Sequence, residues 1–159
     1  MKALHGILAA LTVAGLGFLA GGCEKMSDNG PIDGLWMMEK HYTRAASAEG
    51  LPYSEAVDVK DKGIVWAFQL NLLSMRTNGV HNGLTDESVA RFSLEDNVLQ
   101  VGPTYIHFRD RDSLLTDPHT TCLEEVGIRG NAARFRVHTL NSKRMVLCSE
   151  RDSLVLRKC

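Results

Sequence analysis

The chain has 159 residues, is 44% hydrophobic and 23% charged, and carries a formal net charge of −1 at pH 7. That length suits one domain built on a single core. The near-neutral balance gives no electrostatic case for a nucleic-acid partner, and none is expected.

The first element is an export signal. Lys2 leads into an apolar run from Ala3 to Ala20, followed by Gly21, Gly22 and Cys23. A basic start, an apolar stretch and small residues before a cleavage point have that layout. The ending resembles the bacterial lipoprotein signal, in which the cysteine becomes the lipid-bearing N-terminus. Leu19 stands one place earlier than the leucine of that pattern. The resemblance implies a signal peptide at residues 1–22, lipidation at Cys23 and a lipid-anchored place in the bacterial cell envelope. The outer membrane is the expected site, facing the periplasm or the exterior. An uncleaved membrane anchor and ordinary secretion compete with it. Glycines and His5 within the run weigh against a spanning helix.

Glu24 to Pro31 is polar and turn-rich, so residues 23–32 read as a tether to a domain at 33–159. Gly34–Tyr42 reads as a first strand. Thr43–Gly63 is irregular, broken by Gly50, Pro52 and Gly63, with room for one helical turn at Ala45–Glu49. Ile64–Arg76 reads as one strong strand, with Ile64, Trp66, Phe68 and Leu70 alternating against smaller or polar residues. Asn78-Gly79 and Asn82-Gly83 are turn signals. Ser88–Leu94, Asn97–Val101 and Tyr105–Arg109 read as three short strands separated by Glu95-Asp96 and Gly102-Pro103.

One helix is predicted after Asp117, with Pro118 at its first position and Gly127 at its end. Thr121 and Glu124 have capping-box spacing, which starts it slightly later. Ala133–Leu140, Lys143–Ser149 and Ser153–Lys158 finish the chain as strands. In the first of these, Phe135 and Val137 alternate with Arg134, Arg136 and His138, giving a dry face and a wet one. About eight short strands with hairpin connections predict an all-β, antiparallel up-and-down barrel with one short helix, and a two-sheet sandwich is its rival.

Charge is unevenly spread. Residues 128–159 hold eight basic and two acidic side chains, whereas residues 23–127 hold nine basic and seventeen acidic. The favoured reading is pairing between C-terminal and N-terminal strands of a closed sheet. A basic stripe for a membrane or polyanion is the other.

Asp33-Gly34-Leu35-Trp36 resembles the Gly-x-Trp signature of lipocalins. Leu154-Val155-Leu156-Arg157-Lys158 resembles the lipocalin last strand, whose arginine packs over that tryptophan at the closed end. Trp66-Ala67-Phe68-Gln69-Leu70, Val126-Gly127-Ile128 and Met145-Val146-Leu147 are similar to the lipocalin-like lipoproteins of some gut-type bacteria. The resemblance spans residues 33–158 and implies a lipocalin-like barrel with a ligand role. Two features depart from it. Segment 43–63 lacks an omega-loop signature, and alternation puts Lys158, not Arg157, on the face of Leu154 and Leu156. In that topology Cys122 and Cys148 both fall near the open end, so they are the candidate disulfide, with Cys159 free. The alternative leaves all three reduced.

Little else carries chemistry. His119 and Cys122 have ligand types at helical spacing but lack two partners for zinc, so no metal and no cofactor are expected. His41, His107 and His138 read as structural. Asp110, Asp112 and Asp117 lack the glycine and terminal glutamate of a calcium loop. No nucleophile elbow or phosphate loop is present, and no enzyme is expected. The candidate pocket has three walls: Trp36, Met38, Lys40 and Tyr42; Trp66, Phe68 and Leu70; Phe135 and Val137. Two functions follow. One is a lipid-anchored carrier of a small apolar ligand in the barrel. The other is a lipid-anchored module with a side-chain-filled barrel that engages an envelope protein partner through its loops.

Overall fold

Period-two alternation runs through nearly the whole domain, and ten strands join into one antiparallel sheet. The computed structural model describes residues 29–45, 51–54 and 56–159. The strands are β1 (Gly34–Thr43), β2 (Val57–Asp58), β3 (Val65–Gln69), β4 (Leu72–Arg76), β5 (Glu87–Glu95), β6 (Val98–His107), β7 (Asp112–Leu114), β8 (Ala133–Leu140), β9 (Arg144–Cys148) and β10 (Asp152–Lys158). Eight of them close a ring in the order β1, β3, β4, β5, β6, β8, β9, β10, and β10 pairs back onto β1. That closure makes a barrel and rules out the sandwich. β2 adds to β1 at Lys40 and His41, and β7 adds to the far end of β6. The predicted signal peptide, Cys23, most of the tether and nearly all of the turn anticipated at Ala45–Glu49 lie outside the described residues.

Three sequence expectations shift. Ile64–Arg76 is a hairpin, because the chain reverses at Leu70-Asn71 and Phe68 pairs with Leu73. Gly102-Pro103 does not end a strand. It sits in a bulge opposite Arg91, where the β8 pairing stops and the β7 pairing begins, so no ladder needs the missing proline N–H. The predicted helix reduces to one 3-10 turn, Glu124–Val126, before left-handed Gly127. The chain there must deliver Leu123, Val126 and Ile128 to the core, all fully buried. Ile128 N–H turns back to the Leu123 carbonyl at 3.1 Å, a path that a straight helix would not allow. A Cβ on Gly127 would stand 2.7 Å from Leu154, so glycine is required by both φ and space.

The barrel axis is filled. Trp36, Trp66, Phe68, Leu73, Met75, Leu99, Phe135 and Met145 all point inward and are no more than 2% exposed. Trp66 meets Phe135 edge-on at 5.9 Å, and Phe68 meets Phe92 at 4.9 Å. Burying each such side chain contributes about 1.5–3 kcal/mol, and the edge-to-face pairs add to that.

At the closed end Trp36 donates Nε1–H to the Ile32 carbonyl at 2.6 Å. Above the indole ring lies Lys158, its Nζ 5.1 Å from the ring centroid and 2.8 Å from the Pro31 carbonyl. The arginine expected over that tryptophan is therefore a lysine here. Arg157 points outward and pairs with Glu39 at 3.1 Å.

Candidate functional site

Of the nine candidate pocket residues, Trp36, Met38, Trp66, Phe68, Phe135 and Val137 meet in the core. Lys40 and Tyr42 do not. A bulge between Met38 and Lys40 shifts the phase of β1, so Lys40 faces outward opposite Val155 and His41 turns inward opposite Leu154. Leu70 occupies the hairpin turn and is 54% exposed. The six that converge belong to one packed core, and Phe135 among them also lines the groove at the open end.

The open end is plugged from above. Leu123, Val126 and Ile128 enter the core cluster, and Trp66 donates Nε1–H to the Val126 carbonyl at 3.1 Å. A polar latch holds this segment down. Asp152, with 2% of its side chain exposed, accepts from Arg129 Nε at 2.6 Å and Nη2 at 3.0 Å, and lies 2.8 Å from His41 Nε2. Arg129 also reaches Glu124 at 2.9 Å. Burial, the largest influence on Asp152, works against ionisation. The hydrogen bonds from His41 and Arg129 outweigh it, so its pKa falls below the ordinary carboxylate value.

Beside the latch an open groove of about 730 Å3 runs over the outer face of β8 and β9. On that outer face lie Val98, Cys148, Arg134 and Arg136, with Arg129 and Arg151 beside them, while Ala133 and Phe135 line it from the core side of β8. Register explains the arginines. Val98, Arg136 and Cys148 lie side by side across β6, β8 and β9, and Arg134 sits two residues back on the same face. Tyr53 closes one end. Its hydroxyl donates to the Ser149 carbonyl, and the Arg44 guanidinium stacks 4.1 Å from its ring. Burial first, and then Cys148, raise the Tyr53 pKa, with Arg44 opposing.

The C-terminal basic excess is only partly paired. Arg129 and Arg157 have carboxylate partners, and Lys158 covers Trp36. Among the described residues, Arg134, Arg136 and Arg151 have no carboxylate within 4.0 Å, which leaves a cationic surface on the groove. In the sequence Arg134 and Arg136 read only as the wet face of a strand, and nothing there marked Arg129, Asp152 or Tyr53. The signal for a site was the surplus of arginine over acid after residue 128.

Cys122, Cys148 and Cys159 are free thiols, so the Cys122–Cys148 disulfide does not form. Cys122 packs against the core beside Thr120 Oγ1 at 3.1 Å. Cys148 lies on the outer wall, 3.5 Å from Ser153 Oγ. His119 and His138 are exposed, and His107 meets Asp112 at 2.7 Å on the surface. Among the described residues no three His, Cys, Asp or Glu side chains converge as metal ligands, and no helix is long and apolar enough to cross a membrane.

A second polar cluster supports the loop between β4 and β5. Buried His81 lies 2.9 Å from Ser88 Oγ and 3.3 Å from Thr77 Oγ1. Asn82 accepts from the backbone N–H of Leu84 and Thr85, and donates to the Glu87 carbonyl.

The fold has solved counterparts. A lipocalin-like protein from Bacteroides uniformis superposes with a TM-score of 0.52 at 17% identity, covering 82% of this chain and 100% of that one. An uncharacterized protein from Bacteroides eggerthii gives 0.51 at 16% identity, covering 80% and 98%. No curated protein matches the chain. Residues 17–159 match the family described as a lipocalin-like domain, and with its Gly-x-Trp strand, closed eight-stranded barrel and basic side chain over Trp36 the chain belongs to that family.

Proposed function

We propose that this chain is a lipid-anchored binding protein of the bacterial cell envelope, not an enzyme, and that its ligand sits in the open-end groove. One observation carries the reading. The lumen is occupied by the protein's own aromatic side chains, while the concavity of about 730 Å3 is lined mostly by residues outside that core. That volume falls within the usual range for small-molecule sites. The apolar lumen ligand suggested by the sequence would have to displace Trp66, Phe68 and Phe135 from mutual contact. The anchor rests on the Ala20-Gly21-Gly22-Cys23 ending.

The test is native mass spectrometry of the full chain, made in a bacterial envelope and purified in mild neutral detergent. A bound small molecule that is lost in Val98→Trp supports the groove. A molecule retained in that variant moves the ligand into the barrel. In parallel, Cys23→Ser should release the chain from the membrane fraction. Retention there would favour an uncleaved anchor instead.

A second reading, docking of an envelope protein on the loops, is favoured by the β4–β5 loop. Its hydrogen-bonded base presents Val80 and Leu84, 61% and 64% exposed. A bare mass in the native spectrum would favour it.

A further inference from the structure

The groove's chemistry is more specific than its shape. Arg134 and Arg136 stand on one face of β8, both exposed and neither within 4.0 Å of a carboxylate among the described residues. The two acids of the groove are Asp152 and Glu150. Asp152 is already saturated by Arg129 and His41, leaving exposed Glu150 as the one counter-charge among the described groove residues free to oppose a guest. At the edge, Arg44 Nε is buried with no hydrogen-bond partner among the described residues, and Arg151 Nε reaches the Arg44 carbonyl at 3.5 Å. Guanidinium groups are planar forks that match carboxylate and phosphate oxygens in pairs. Beside Arg136 on the same face, Val98 and Cys148 supply apolar surface. A site of this kind offers an oxyanion two or more donors and offers an apolar body a surface to lie on.

Building on the groove reading, we propose that the ligand is a small organic anion. Its carboxylate or phosphate head lies between Arg134 and Arg136, and its apolar part rests on Val98 and Cys148. A neutral molecule of the same shape gains no charge-assisted hydrogen bond from either guanidinium and would bind less tightly.

The test titrates the full chain in neutral detergent with benzoate, phenyl phosphate and benzyl alcohol, following backbone amide resonances by NMR. Amides of residues 133–136 and 148–152 should shift saturably with one or both anions, and only weakly with benzyl alcohol. The stronger of the two anions identifies the head group. Arg134→Gln with Arg136→Gln should weaken the anion by at least about tenfold, and added salt should weaken it as well. Both side chains are solvent-exposed, so unchanged resonances across β1 and β3 verify that the double variant keeps the barrel. If benzyl alcohol binds equally well, or if the double variant binds the anions unchanged, the anion assignment fails and the groove reading stands. If none of the three shifts those amides and the native spectrum gives a bare mass, both fail.

Discussion

Lys158 does at the closed end what an arginine was expected to do, and the reason is phase. Leu154, Leu156 and Lys158 share the inward face of β10, so Lys158 is opposite Trp36 while Arg157 is opposite Met37 on the outside. Lys158→Met keeps the apolar stem but removes the ammonium from the Trp36 ring and the Pro31 carbonyl. It should cost about 1–2 kcal/mol in urea denaturation, from a cation–π contact and a charged hydrogen bond. Arg157→Gln breaks only a surface pair with Glu39 and should cost under about 1 kcal/mol. The reverse ranking would put the closing contact on Arg157. His81 gives a residue-scale prediction of a different kind. Burial, the dominant influence, lowers its pKa below the ordinary histidine value, with Glu125 opposing. The unfolded chain therefore binds the proton more readily than the folded one. His81's contribution is fully present above the unfolded pKa, near 6.5, and is lost as pH falls toward the lower folded value. The stability gap between wild type and His81→Gln should shrink between pH 7.5 and pH 5. A gap that stays constant would mean that His81 is not held neutral by the fold.

At the scale of elements, the turns set what the strands can do. Leu70 begins the β3–β4 reversal at a φ of 55°, a left-handed conformation that costs a branched side chain about 1–2 kcal/mol. Glycine adopts it freely, at some cost in unfolded-state entropy. Leu70→Gly should therefore leave stability unchanged or raise it by up to about 1 kcal/mol, read from the denaturation midpoint. A loss larger than that would mean that the exposed Leu70 side chain packs usefully. The same turn explains one limit of the sequence. Alternation from Ile64 to Arg76 was correctly read as β structure, but Leu-Asn is not a recognisable hairpin turn, so two strands read as one. The β8, β9 and β10 segments were legible because Asn141-Ser142 and Glu150-Arg151 are good turn formers between alternating runs. The helix was misread because its signals at Asp117, Pro118 and Gly127 are local. The demand to bury Leu123, Val126 and Ile128 together is tertiary. Lys40 and Tyr42 failed as pocket residues for a related reason. A bulge shifts the phase of a strand by one residue, and nothing in Met38-Glu39-Lys40 announces it.

For the whole molecule, the open question is whether the barrel is a container or a scaffold. The sequence held both answers, because large inward aromatics can line a void or fill one, and the difference is a matter of a few ångströms in ring placement. The groove was not legible at all, since it is assembled from Tyr53, the segment after Gly127 and the outer face of β8, which only closure of the sheet brings together. The packing supports the scaffold, and that can be tested directly. Phe68 is 2% exposed, with its ring 4.9 Å from Phe92 and 6.1 Å from Trp66. Phe68→Ala should cost about 3–5 kcal/mol and leave a cavity walled by aromatic and aliphatic side chains. Cavities of that kind stay dry and take up a small apolar guest. Saturating benzene should therefore raise the Tm of Phe68→Ala by mass action, while the wild-type Tm stays where it is. A wild-type Tm that climbs with benzene would mean that the lumen already has room, and the ligand would then belong inside the barrel, against Trp66 and Phe68, as the apolar run of β3 first suggested.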